Sequence, residues 1–333
     1  MSGHESPVVS VVVPFYDVES YVDDCMRSLL AQDFDAYEVV CVDDGSSDRT
    51  GALLDGYAAK DPRVHVIHTE HRGLSEARNE GVRTARAELV SFVDGDDVVS
   101  PHYLRLLHEA HGGVPGRMVA GNALRIAKGE AASIEWPTAP RTTRTISSHD
   151  AIREYLRWEI GYAAWARLAW RDLYLRVPFE PGVIYEDSYA FASHLSGVGE
   201  IVFLDVELYG YTQREGSLSN PRVVTPAHVD GMLRSAGSIS QAALSWPLDL
   251  RRLAVWRLDR HLLWVVKTST RLADRKSARI YCNVARHALA KDLPWLLRVC
   301  EKEHLSWQLP VASVIAVVSP RLLWAVDRIR KHL

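Results

Sequence analysis

Of four strand-like stretches in the first hundred residues, "VVSVVVPF", "YEVVCVDD", "RVHVIHT" and "AELVSFVDGDD", all but the third are apolar almost without interruption rather than alternating. A strand of that kind must be buried on both faces. The segments between them, "SYVDDCMRSLLAQ", "SDRTGALLDGYAAKD" and "GLSEARNEGVRTA", carry helical periodicity, with Ser20 and then Ser47 or Asp48 as the expected caps. Continuous strands joined by amphipathic crossovers predict an α/β fold, a doubly wound and mostly parallel sheet covered on both sides. Ligands of such sheets bind beyond the carboxyl ends of the strands. Three of the four ends read "PFYD", "DDGSSD" and "DGDD", so all three are expected to open on one crevice.

The last of these raises an electrostatic question. Asp94, Asp96 and Asp97 lie within four residues at the mouth of a buried strand. Like charges that close raise one another's pKa and are costly to bury without a partner. A water-filled Asp-Gly turn is one solution. The other is a positive charge. A divalent cation on Asp96, with Asp94 nearby, would be Mg2+ or Mn2+ sharing its shell with a diphosphate.

The neighbouring motifs have the same two-sided character. Asp43 and Asp44 serve either as turn formers or as acceptors for a base or ribose. Tyr16 is either core or a platform on which a nucleobase stacks. Arg78 is placed to fork onto phosphate, although its spacing from Glu76 and Glu80 favours a surface salt bridge. Glu186 and Asp187 suit a helix N-terminus as readily as a catalytic role. His65, His68 and His71 fall on a strand and a loop, which argues against a metal cluster. Trp136, Tyr162, Trp165 and Trp170 offer sugar-stacking surfaces or core filling.

The chain of 333 residues has room for two domains, and the pattern turns almost wholly helical after Pro226. Cys25, Cys41, Cys282 and Cys300 have no metal-ligand spacing, which suits a reducing cytosol. No signal peptide is evident. The most apolar stretch, from Leu309, is broken by Pro320 and Arg321 before it can span a bilayer. Charge is lopsided: residues 251–333 hold 17 Lys/Arg against 6 Asp/Glu. Within this basic tail Leu322, Val326, Ile329 and Leu333 share a helical face rimmed by Arg321, Arg328, Arg330 and Lys331. That pattern suits a helix lying on an anionic membrane or one packed on its own domain.

Taken in order, PFY, VDDGSSD, GLSEARNEG and FVDGDD closely resemble the family 2 glycosyltransferases of GT-A fold. "WARLAWRDLYLRVPFEPGVIYEDSYAF" and "LYGYTQREGSLSN" resemble the branch that builds capsular, exopolysaccharide or teichoic-acid-type glycans. The resemblance covers residues 8–220. It implies a GT-A catalytic domain over 1–222, with a nucleotide-binding half at 8–120 and an acceptor half at 121–222, followed by a basic helical domain at 223–333.

The resemblance also implies roles. Pro14 and Tyr16 would flank the base, Asp44 would contact its imide edge, and Arg78 would contact the nucleotide. Asp94 would approach the ribose, and Asp96 would hold Mn2+ or Mg2+. Arg214 and Ser217 would close over the diphosphate, with Trp165 and Arg167 near the acceptor. Asp187, beside Glu186, would be the general base. The activity implied is inverting, non-processive transfer from a nucleotide sugar, in first place a UDP-sugar, to a glycan or lipid-linked saccharide. It would take place in the cytoplasm or at the cytoplasmic face of the membrane, and no nucleic-acid partner is expected. His71 departs from the family, standing where many relatives carry Asn, and Asp17 stands where Asn is frequent. No QxxRW motif of processive synthases is present. The competing readings are a sugar-nucleotide pyrophosphorylase, disfavoured by the lack of a Gly-rich loop after the first strand, and an inactive family member acting as a glycan-binding or assembly partner.

Overall fold

A computed structural model describes residues 6–130, 133–214 and 223–302. Ser217 and the tail from Pro320 onward lie outside the described residues. The described part divides into two compact units. One holds the residues up to Ala151 together with Tyr162–Gly182 and His194–Arg214. The other holds Ile152–Gly161, Val183–Ser193 and the described residues beyond 222.

The first unit is built on the expected sheet. Strands β1 (Val9–Phe15), β2 (Tyr37–Asp43) and β4 (Leu89–Phe92) are buried at every position, as their unbroken apolar runs require. They pair in parallel with β3 (Val64–His68) in the order β3-β2-β1-β4. The connecting helices are α1 (Val22–Leu30), α2 (Thr50–Ala58) and α3 (Leu74–Thr84). Because the chain runs outward from β1 to β3 and then returns to β4 on the other side, the topology switches between β1 and β4. Crevices form at such points.

Beyond β4 the sheet departs from simple parallel winding. Strand β8 (Arg167–Trp170) runs antiparallel to both β4 and β6 (Arg117–Ile126). Strand β9 (Glu200–Thr212) is parallel to β6 and antiparallel to β5 (Val98–Val99) and β7 (Thr143–Ser147).

Local chemistry explains the helix boundaries. The expected Ser20 cap is not used: α1 starts at Val22 with no side-chain cap. Asp48 does help to open α2, since its Oδ1 accepts the Thr50 amide at 2.9 Å and its Oδ2 the Glu19 amide at 3.0 Å. Gly81 of α3 lies so close to β1 that a Cβ there would stand 2.3 Å from Val12 Cγ1.

In the second unit the apolar faces of α8 (Pro226–Ala243), α9 (Leu248–Ser269) and α10 (Arg275–Lys302) meet through Val229, Met232, Val265, Val266 and Ala285. Thr225 and His228 form a capping box at the start of α8, with Pro226 at the first helical position. The upstream segment Val183–Ser193 belongs here because Gly231 admits the Ile184 carbonyl and Ser188 Oγ meets Ser235 Oγ at 2.7 Å. Among the described residues, no helix is long and apolar enough to cross a membrane.

Candidate active site

The DGDD turn is docked on the end of β1. The Gly95 amide donates to the Pro14 carbonyl at 3.2 Å, and a Cβ at Gly95 would fall 2.4 Å from Phe15 Cδ1. Only glycine permits this approach, and it fixes where the flanking carboxylates stand.

Each carboxylate has its own partner. Asp94 Oδ1 accepts from Arg78 Nη2 at 2.7 Å, and Arg78 is only 2% exposed. A surface pairing of Arg78 with Glu76 or Glu80 is the expectation from sequence, but residues two apart on a helix point to different faces, and Arg83 holds both glutamates, at 2.9 and 2.7 Å. Asp97 is the buried anchor. Its Oδ2 accepts from the Tyr209 hydroxyl at 2.6 Å and its Oδ1 from the Thr212 amide at 2.7 Å, tying the turn to β9. The same hydroxyl accepts from the Asp94 amide at 3.0 Å. Burial, then the charges of Asp96 and Asp94, push the Asp97 carboxyl well above the usual range.

Asp96, like Asp94, remains partly open, and Arg214 Nε reaches its Oδ2 at 2.5 Å. Burial raises the Asp96 pKa, with Arg214 opposing and Asp94 adding to the rise. Arg214 also faces the Tyr21 ring at 6.0 Å, which Lys128 approaches at 4.8 Å.

At the mouth of β1, Tyr16 is exposed and stacks on His71 with ring centroids 4.0 Å apart and an interplanar angle of 21°. Pro14, two residues earlier, is buried. His71 Nδ1 lies 2.9 Å from Asp44 Oδ2. Asp44 is buried, and its two oxygens accept the amides of Arg72 and Gly73, each at 2.8 Å. It thereby shapes the 69–73 loop that carries His71. Asp43 instead holds His68, 2.9 Å from Nδ1, and the two carboxylates Asp43 and Asp55 raise the His68 pKa. His65 pairs with Glu38 and Arg86, so the three histidines go to separate partners. Asp17 takes a left-handed conformation, φ 48°, and accepts the Ser47 amide at 2.7 Å.

Trp165, expected near the acceptor, stacks on Tyr209 at 4.6 Å and on Tyr211 at 5.9 Å. One tyrosine therefore links the indole to both Asp94 and Asp97. Arg167 is buried at the start of β8, and its guanidinium donates to the Ala163 carbonyl.

Glu186 and Asp187 open α7 (Glu186–Gly197) in the second unit, where acids suit the helix dipole. Glu186 is buried, while Asp187 is half-buried and its Oδ1 accepts the Ser188 amide at 2.6 Å. Tyr185, just before them, adopts φ 69° and lies 5.9 Å from the Trp264 ring.

Tyr209 and the His71–Tyr16 stack were not assigned roles from sequence. Tyr209 sits in a long strand and reaches Asp97 across 112 residues, a relationship with no local signature. Among the described residues, no three His, Cys, Asp or Glu side chains converge as a cation cage. The donor set fits a cation that completes its shell with substrate oxygens and water. Asp96 would be its main protein ligand and Asp94 a near neighbour.

Residues 10–162 match the family described as Glycosyl transferase family 2. The chain is 31% identical over 221 residues to the uncharacterized glycosyltransferase EpsJ of Bacillus subtilis, covering 64% of this chain and 63% of the relative. It is 28% identical over 331 residues to the succinoglycan biosynthesis protein ExoO of Rhizobium meliloti, covering 95% and 88% of the two chains. Its fold is similar to the crystal structure of S. aureus TarS 1-349 in complex with UDP-GlcNAc. That match has a TM-score of 0.58 and 20% identity, and covers 90% of this chain and 93% of the other. The expected GT-A fold is borne out. Residues 10–162 thus form a domain that matches glycosyl transferase family 2, a family of enzymes of the transferase class.

Proposed function

We propose that this protein is an inverting, divalent-metal-dependent and non-processive glycosyltransferase. It moves one sugar per encounter from a UDP-sugar to a hydroxyl of a glycan or lipid-linked saccharide. The observation that carries the reading is the set of partners at the β1/β4 switch point. Asp94 and Asp96 stand on a turn docked against the strand that ends at Phe15, just before Tyr16, and each is balanced by an arginine. TarS, similar in fold, has been crystallised with UDP-GlcNAc, which supports uridine as the base.

The chemistry assigns each residue a task. Tyr16 and His71 offer aromatic faces to the base, with Asp44 holding their loop in place. Arg78 keeps Asp94 oriented toward the ribose. Asp187, as general base, takes the acceptor hydroxyl proton while that oxygen bonds to the anomeric carbon. The bond from that carbon to the diphosphate oxygen breaks, and the electron pair leaves with the nucleoside diphosphate. Mn2+ or Mg2+ on Asp96 would neutralise charge gathering on that leaving group. Arg214 would add a guanidinium there, favouring the transition state over the ground state. Trp165 and Arg167 would contribute to the acceptor side, and Ser217 to the diphosphate. The basic tail from residue 320 would attach the enzyme to an anionic membrane surface.

A thermal-shift panel of UDP, GDP, dTDP and CDP, each with and without Mn2+, tests the reading. A ligand at about 100 times its Kd adds roughly 2.7 kcal/mol of stability. A shift with UDP that needs Mn2+ is expected. No shift with any nucleotide would contradict it.

A further inference from the structure

The two DxD carboxylates differ in how firmly their arginines are held. Arg78 rises from the middle of α3, is 2% exposed and lies against the Phe179 ring at 5.4 Å. Arg214 lies two residues beyond the end of β9, and the last backbone tether before it is the Gln213 amide on the Ile126 carbonyl at 2.9 Å. Its side chain is 33% exposed, against 18% for Asp96. Arg78 is therefore a fixed counter-ion, whereas Arg214 is an accessible one on a short tether.

The charge balance of the turn adds a second constraint. Asp94 and Asp96 are each matched by one guanidinium, and Asp97 is satisfied by Tyr209 and Thr212. A bare divalent cation meets a turn whose attraction is already cancelled. It must also approach Asp96 with Arg214 on Oδ2 and Lys128 across the Tyr21 ring. A cation already bound to a nucleoside diphosphate meets a different balance. It can take Asp96 while its phosphates take the displaced guanidinium, so neither the carboxylate nor the guanidinium is left without a partner.

We propose that Arg214 is the exchangeable counter-ion of Asp96. It occupies the carboxylate in the free enzyme, opposes metal binding alone, and transfers to the diphosphate when metal and nucleotide arrive together. This rests on the nucleotide-sugar reading above. The consequence is coupled binding: metal alone binds weakly, and UDP and Mn2+ strengthen one another.

Two binding measurements on the full chain test this. Free Mn2+ is titrated by electron paramagnetic resonance without nucleotide, and UDP is titrated by calorimetry in saturating Mn2+. In Arg214→Gln, Mn2+ alone should bind about tenfold more tightly and UDP about tenfold more weakly, a change of sign between the two. The gain in Mn2+ affinity should vanish in Arg214→Gln combined with Asp96→Asn, and Arg214→Lys should keep part of the wild-type coupling. A melting curve for each variant separates these effects from misfolding. If Arg214→Gln weakens UDP but leaves Mn2+ affinity unchanged or lower, the exchange is overturned while the donor assignment survives. If the wild type binds no UDP in Mn2+, both the exchange and the donor assignment fail.

Discussion

Arg78 and Asp94 are 16 residues apart in sequence and 2.7 Å apart in space, joining a buried position on α3 to the turn after β4. This pair answers part of what the acidic cluster demands. The positive charge is supplied first by the chain itself, before any ligand enters. Replacing Arg78 by Met should destabilise the protein by about 3 kcal/mol, because Asp94 would then stand beside Asp96 and Asp97 without its cation. Adding Asp94→Asn should recover at least about 1 kcal/mol of that loss in a double-mutant cycle followed by urea denaturation. Strict additivity would show that the pair does not couple.

Tyr209 connects Asp94, Asp97 and Trp165 through one hydroxyl and one ring. Tyr209→Phe keeps the ring and removes the hydroxyl, so it should cost about 1–3 kcal/mol while leaving the stack on Trp165 intact. UDP affinity in Mn2+ should fall as the turn loosens. Unchanged stability together with unchanged affinity would show that the hydroxyl does not hold the turn.

Gly95 is where the turn touches β1. An alanine there must push Phe15 or the Pro14 carbonyl aside, at a cost of about 1–3 kcal/mol. Nucleotide binding should fall along with stability. Normal binding by Gly95→Ala would mean that the turn can move without consequence.

The nucleotide-side frame was legible because it is written locally. Unbroken apolar runs specify buried parallel strands, and polar strand ends locate the crevice that the β1/β4 switch point produces. The partners were not legible. Arg78 has a glutamate two residues away on either side, but that spacing puts them on other faces of α3, and the face of α3 packed on β1 carries Arg78 to Asp94. Asp97 and Tyr209 meet because β9 returns beside β5, more than a hundred residues later. Ser20 fits an N-cap by type, but α1 begins two residues beyond it. His71 stood out as a departure from the family, yet its stack on Tyr16 depends on the loop that Asp44 holds by two backbone amides.

Three buried histidines predict the response to acid. Burial lowers the pKa of His111, His194 and His261 to about 4. In the unfolded chain each returns to about 6.5, so between these values the unfolded state binds more protons. Stability is therefore fully present above about pH 6.5 and falls as the pH drops toward 4, by at most about 3 kcal/mol for each group. Urea denaturation at a series of pH values should show this slope, and His194→Gln should flatten it. A slope unaltered by that substitution would assign the acid sensitivity to other groups.

The basic tail yields a separate expectation. Deleting residues 320–333 should reduce sedimentation of the protein with anionic vesicles and leave nucleotide binding intact. Equal vesicle binding by the truncated and full chains would remove the tail from membrane attachment.

The most direct test of the enzyme assignment is nucleotide release from a panel of UDP-sugars, with a lipid-linked saccharide acceptor and Mn2+. The account predicts release from one UDP-sugar that depends on acceptor, stops with EDTA, and falls at least about 100-fold in Asp96→Asn and in Asp187→Asn, both still folded. Release that persists in EDTA, or in both variants, would contradict a metal held at Asp96 and a base at Asp187.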